Sequence, residues 1–259
     1  MIELVSTNEE ISRIVIVSAD LKAAKDIDAW QKNVVRDDPE NPVLEHYTLQ
    51  ADNIFKVPSV FEQDDCLANT NLLMVVFGDS RADRLPEAFI QLFSAHNLCP
   101  LVVLPNELSL TLTDTGLEPS QVVTVTTEQS SKAAVDKILD PFVGSGMINL
   151  PVDDLKHIAT PGSEGLLISA QASGPDGASE ATKKAMALHK ASHPAGTEST
   201  GILMNISSEM GSLTIGGYVM ATDALRESAQ DDASVMCSAM VSFSLPEDTF
   251  EVSLVIFKS

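Results

Sequence analysis

The chain has 259 residues, 44% of them hydrophobic, enough to bury one large core or two modest ones. Its net charge of −21 argues against a nucleic-acid backbone, which needs clustered Lys and Arg, and against an anionic membrane surface; its plain use is solubility. Cys66, Cys99 and Cys237 lie far apart with no CxxC spacing, so neither a zinc knuckle nor a disulfide framework is indicated, and a reduced cytoplasm is the expected location. The acidic start, Met1 to Glu10, does not read as a signal peptide, and no stretch approaches the roughly 18 apolar residues of a membrane span.

Arg13-Ile-Val-Ile-Val17 is a continuous apolar run and reads as a buried strand. A tight turn at Ser18-Ala19-Asp20 leads to a helix over 21–35, with Leu21, Ala24, Ile27 or Asp28, and Val34 at helical spacing. Asp37 to Pro42 signals a loop, and Val43 to Val60 holds one or two short edge strands broken by Pro58. Leu72 to Phe77 is the next buried strand, followed by a turn, Gly78 to Arg84, and a helix from Pro86 to His96 with its proline in the first turn. Pro100 to Leu104 and Gln121 to Thr126 are further strands, and the repeated order of strand, loop and helix predicts a parallel sheet with right-handed crossovers.

Ser130 to Leu139 reads as a helix leading into a loop at Gly146, and Val152 to Ile158 as a short helix. Gly165 to Gly174 is a strand; a helix starts near Asp176 with Ala178, Ala181, Ala185 and Leu188 on one face. Gly201 to Ser207 is a strand and 218–229 a second helix, with Tyr218, Ala221 and Leu225 along one stripe. The last two strands alternate: Val235, Cys237, Ala239, Val241 and Phe243 share one face, and Phe250, Val252, Leu254 and Ile256 one face of the next. Leu245 to Asp248 turns between them, which predicts an antiparallel hairpin with one buried face.

The stretch Gly146-Met-Ile-Asn-Leu-Pro-Val-Asp-Asp-Leu-Lys-His157 resembles the loop that the bacterial tubulin-like division protein FtsZ inserts into its neighbour's nucleotide site, written P-G-[LM]-[IM]-N-x-D-F-x-D-[VL]. Gly146, Ile148, Asn149, Asp154 and Leu155 keep that pattern, while Pro151 replaces the first of its two acids. Gly165 to Gly174 is similar to the family's M-G-x-G-x-A-S-G, Gly201 to Ser207 to G-V-L-V-N-I-T, and Asp231 to Val235 to D-x-A-x-[VI]. The likeness is collinear over 142–257; residues 11–140 agree only in the order of elements. It implies an α/β chain with a reduced Rossmann-like nucleotide domain of the tubulin/FtsZ type over 1–145 and an FtsZ-type α+β domain with a four-stranded sheet over 146–259. The chain ends at Ser259, so the linker and terminal peptide that tether FtsZ to its partners are not expected.

Fold does not carry function with it, so each site of the family is tested on the residues present. The family's G-G-G-T-G-T-G loop corresponds to Phe77 to Arg84, where Gly78 alone remains. Asp79 and Asp83 suit a helix N-terminus and would repel a triphosphate, while Arg81 and Arg84 either attract an anion or, more simply, pair with those aspartates. The turn at 18–20, glycine-rich in FtsZ so that backbone N–H groups can cradle phosphate, has no glycine here. Glu128 and Gln129 stand where the family reads guanine, and capping is their simpler role.

Asp153 and Asp154 are either remnants of the acids that orient the attacking water or first-turn residues balancing a helix dipole. His189 and His193 have the i, i+4 spacing of a metal clamp but no third ligand nearby, and Trp30 reads as a core residue. Together these features predict a non-catalytic, FtsZ-like protein with no cofactor. It works through contacts with FtsZ or with further copies of itself, and Asn149, Asp153 and Asp154 form the vestigial contact loop. The alternatives are a nucleotide-binding or GTP-hydrolysing protein with a rewritten pocket, and a self-associating structural module.

Overall fold

The computed structural model describes residues 12–32, 42–48, 67, 69–78, 90–91, 95, 98–105, 118–144, 146–192, 199–229 and 232–258. The described strands are β1 (Arg13–Ser18), β2 (Val43–Thr48), β3 (Leu72–Val76), β4 (Leu101–Pro105), β5 (Val123–Thr127), β6 (Gly146–Ile148), β7 (Glu164–Ser173), β8 (Gly201–Ser208), β9 (Ser234–Val241) and β10 (Thr249–Lys258). The α-helices whose full span is described are α1 (Leu21–Gln31), α2 (Ser131–Val143), α3 (Gly177–Ser192) and α4 (Ile215–Ser228), with a 3-10 helix at Val152–His157 where the sequence suggests a short helix. The expected helix over 86–96 and the loop 79–84 lie outside the described residues, apart from Ile90, Gln91 and Ala95.

All ten strands form one sheet in the order β2-β1-β3-β4-β5-β7-β10-β8-β9-β6. From β2 to β7 every pairing is parallel, as apolar strands separated by crossovers require. β2 is the expected edge strand. β7 pairs with β5, Thr124 opposite Glu164, so the sheet runs without a break from the amino-terminal half into the carboxyl-terminal half. Beyond it lie the four expected strands, β7, β10, β8 and β9, with β6 added as a short outer strand on β9.

The predicted terminal hairpin does not form. β10 is antiparallel to β7 on one side and to β8 on the other, and β9 pairs parallel with β8. Strands sit about 4.8 Å apart, so passing over β8 needs only about 10 Å, which residues 242–248 span easily. Alternation marks a strand face but cannot name the neighbour. The central place of β10 buries both its faces. Phe250, Val252, Leu254 and Ile256 pack with Ala178, Ala181 and Ala185 of α3 and Ala221 and Leu225 of α4. Val255 and Phe257 enter the other core, with Ile138, Leu139 and Phe142 of α2.

Helix ends follow local chemistry. Asp20 caps α1, Ser130 caps α2 and Thr214 caps α4, each with extended backbone and a side-chain oxygen accepting an N–H of the first turn. The α1 face buries Ala23, Ala24, Ile27 and Trp30, so Trp30 is the core residue expected of it, with its Nε1–H donating to Asp136 Oδ1 at 2.9 Å. Among the described residues no helix is long and apolar enough to cross a membrane.

Candidate functional site

The carboxyl ends of parallel strands are where α/β sheets gather ligands. At that end of β1, Asp20 stands between two elements. Its Oδ1 accepts the Ala23 N–H at 2.8 Å, and its Oδ2 accepts the Gly78 N–H, just beyond β3, at 2.7 Å. A Cβ on Gly78 would lie 2.5 Å from the Ala23 nitrogen, so only glycine allows this approach. Helix-terminal and loop N–H groups of this kind are what a phosphate uses, and here the chain's own carboxylate takes both. Of the residues after β3 that the sequence singles out, Gly78 is described; Asp79, Arg81, Asp83 and Arg84 lie outside the described residues.

Beside it sits a constellation that spacing does not reveal. His46 of β2 lies between Ser18 of β1 and Asp28 of α1. Burial pushes the ring's pKa down, against the opposing pull of Asp28, so the ring is neutral at pH 7. Nδ1–H then donates to Asp28 Oδ1 at 3.0 Å and Nε2 accepts the Ser18 hydroxyl at 2.7 Å. The connectivity is that of a nucleophile, base and orienting acid. Ser18 is 0% exposed, however, and the neighbouring Ala19 N–H is spent on Val76 O, so a substrate carbonyl has no approach. The relay ties α1, β1 and β2 together. Its signal in the sequence was only the presence of three polar residues in separate elements, which become neighbours through parallel pairing.

At the start of α2 the cap is Ser130, not the Glu128 or Gln129 expected from the sequence. Gln129 turns to the sheet, its Nε2–H donating to Ser169 Oγ at 3.0 Å, while Glu128 is exposed. His189 is on α3, but among the described residues no group of three or more potential ligands could hold a metal; His193 lies outside them.

The segment after α2 is held at both ends. Gly144 N–H donates to Asp140 O and Leu150 N–H to Pro141 O, each at 2.9 Å. Asn149 is exposed and its Nδ2–H reaches Gly144 O at 3.4 Å. Pro151 is extended and opens the 3-10 helix, whose first turn carries Asp153 and Asp154. Asp153 is tied back: Lys156 Nζ lies 2.7 Å from Oδ1, and Asn71 Nδ2–H donates to both oxygens at 3.2 and 3.1 Å. The hydrogen bond from Lys156, then that from Asn71, holds its carboxyl below the usual range despite some burial. The Asp154 carboxylate is half-exposed and makes no hydrogen bond or ion pair among the described residues. The three expected contact residues thus share one segment: Asn149 and Asp153 are exposed, Asp153 with Lys156 and Asn71 as partners, and Asp154 is partly buried. A cleft of about 370 Å³ opens behind this 3-10 helix, at the amino ends of β3, β4 and β5, lined mainly by leucine, valine and the Cys99 side chain. Burial pushes the Cys99 thiol up to about 11, so it stays protonated and soft at neutral pH.

No family model and no curated protein matches the sequence. Solved structures match its fold. The chain is similar to an empty FtsZ dimer from M. jannaschii, with a TM-score of 0.68 and 12% identity over 96% of this chain and 89% of that one. An FtsZ mutant from M. jannaschii gives 0.66 and 12% over 95% and 91%. CetZ2 from Haloferax volcanii, in a GTPγS-bound protofilament, gives 0.55 and 14% over 94% and 92%. At such identities the likeness speaks for the architecture: the fold of this chain is the tubulin-like fold of FtsZ and CetZ.

Proposed function

We propose that this protein is a non-enzymatic, FtsZ-like protein that acts through protein–protein contacts and caps or modulates FtsZ-type filaments with the segment Asn149 to Asp154. The observation that carries the reading is Asp20, whose carboxylate takes the Gly78 and Ala23 N–H groups that a phosphate would need. Pro151 adds to it. The resembled loop has an acid there to orient water, and proline has neither charge nor donor. CetZ2 is a protofilament with GTPγS bound. End-to-end assembly propagates only when both contact surfaces survive, so a subunit that keeps the loop surface and loses the nucleotide surface would sit at an end and stop growth.

Calorimetry with magnesium and GTP is expected to show no saturable heat; a micromolar dissociation constant would overturn the reading in favour of a rewritten nucleotide pocket. Light scattering and phosphate release with FtsZ from the same source should show shorter polymers and lower turnover at substoichiometric amounts of this protein, weakened by Asp154→Lys. Unchanged polymers and turnover at equimolar protein would leave a self-associating scaffold as the better account.

A further inference from the structure

The cleft of about 370 Å³ behind the 3-10 helix takes its walls from two layers. Leu73 of β3, Leu101 of β4 and Val123 of β5 come from the amino ends of the strands, and Val152 and Leu155 from the 3-10 helix. All five are no more than 4% exposed, so the walls belong to the core and not to surface side chains. Folded interiors hold few voids larger than a water molecule, whereas ligand sites occupy roughly 300–1,000 Å³. This cleft lies at the small end of that range, which suits a compact molecule of about two or three rings.

Charge narrows the ligand further. Among the described residues, the polar side chains in the lining are Asn71 and Lys156, and both are bound to Asp153. An anion entering here would meet the Asp153 carboxylate and the chain's net charge of −21. A cation would lose its water among leucines with Lys156 alongside. An uncharged ligand meets neither cost. Cys99 adds a preference. It is partly buried, burial keeps its thiol protonated, and a soft sulfur favours contact with an aromatic ring.

We propose that this cleft is a binding site for a small, uncharged aromatic molecule, which lies between the amino ends of β3 to β5 and the 3-10 helix, against Leu73, Leu155 and the Cys99 sulfur. The ring replaces water on leucine and valine surfaces. Asn71, Asp153 and Lys156 keep one another as partners, so binding leaves none of them unpaired. Asn149, Pro151 and Asp154 are not in the lining, so the site does not depend on the filament contact proposed above.

N-phenyl-1-naphthylamine, an uncharged aromatic amine that fluoresces in apolar surroundings, tests the site on the intact protein alone. It should give saturable fluorescence at one molecule per chain, and no saturation would overturn the proposal. Its sulfonated counterpart, 1-anilinonaphthalene-8-sulfonate, adds a negative charge to the same rings and should bind about tenfold more weakly or worse. Equal or tighter binding of the sulfonate would overturn the uncharged class. The amine at saturation should slow alkylation of Cys99 by N-ethylmaleimide and leave Cys237 of β9 unchanged, read by peptide mass. A Cys99 rate that is unaffected, or that slows together with Cys237, would place the amine elsewhere and overturn the site. Ala159, also in the lining, offers a second check. Ala159→Phe fills the cleft and should weaken the amine about tenfold or more while circular dichroism matches the wild type. A folded variant with wild-type affinity would overturn the proposal, and if the variant does not fold the Cys99 measurement on the wild type decides.

Discussion

At the carboxyl end of β1, Asp20 closes on Ala23 and Gly78, the Ser18 and His46 side chains are buried, and the Ala23 and Gly78 N–H groups are spent inside the chain. On the segment after α2, Asn149 and Asp153 are exposed and Asp154 is partly buried, while main-chain bonds at Gly144 and Leu150 anchor the segment. The two regions belong to one continuous sheet, yet one has turned its polar groups to holding the fold together and the other keeps them for a surface. The contrast teaches that two regions of one sheet can spend their polar groups differently. What separates them is whether each polar group already has a partner.

The comparison breaks most sharply at Gly78. Gly78→Ala places a methyl 2.5 Å from the Ala23 backbone nitrogen, which no side-chain rotation relieves. A loss of about 2–4 kcal/mol is expected, read as a lowered urea midpoint. A near-neutral result would show that β3 and α1 can move apart, and the sealed description of this end would fail.

Asp20→Ala removes a helix cap and a second hydrogen bond together, so a smaller loss of about 1–2 kcal/mol is expected in the same measurement. If the variant instead gains stability with added phosphate or GTP, the vacated donors have become an anion site, which sharpens the contrast by showing what Asp20 excludes.

A smaller effect lies in pH. The folded His46 has its pKa lowered from 6.5, so the unfolded chain binds the proton more readily. The stability this contributes is complete above pH 6.5, and it falls as the pH drops from there through the folded value. Asp140 acts in the opposite direction: burial raises its folded pKa to about 6, so its contribution is complete below the unfolded carboxyl value and is lost as the pH rises through 6. Urea midpoints of the wild type and His46→Gln between pH 5.5 and 7.5 separate the two. The variant should lose less stability on acidification, and parallel curves would show that His46 is not buried in solution.

The least effect on stability is expected at the outward surface. Asp154→Lys should change the melting midpoint by no more than about 0.5 kcal/mol, as for other surface positions, while altering any contact made there. A large loss would mean that Asp154 is built into the fold, and the two regions would no longer differ in kind.

By itself the sequence determined what depends on near neighbours in the chain. The apolar runs at 13–17, 72–77 and 166–170 became strands because continuous β-branched and aliphatic side chains bury well on a sheet, and the first helix began where Asp20 could cap it. The likeness of Gly146–His157 to an FtsZ loop was likewise legible, because glycine, asparagine and acid at fixed offsets within twelve residues encode a local turn. Tertiary structure alone decided whatever depends on which strands meet. Nothing in the alternation of 250–256 says that β10 inserts between β7 and β8, because a period of two reports a face and not a neighbour. The bonds from Asp20 to Gly78, Ser18 to His46, Asn71 to Asp153 and Asp140 to Asn205 join residues 28 to 82 positions apart. Each polar group could have faced water in the chain as written; the tertiary structure supplied the partner.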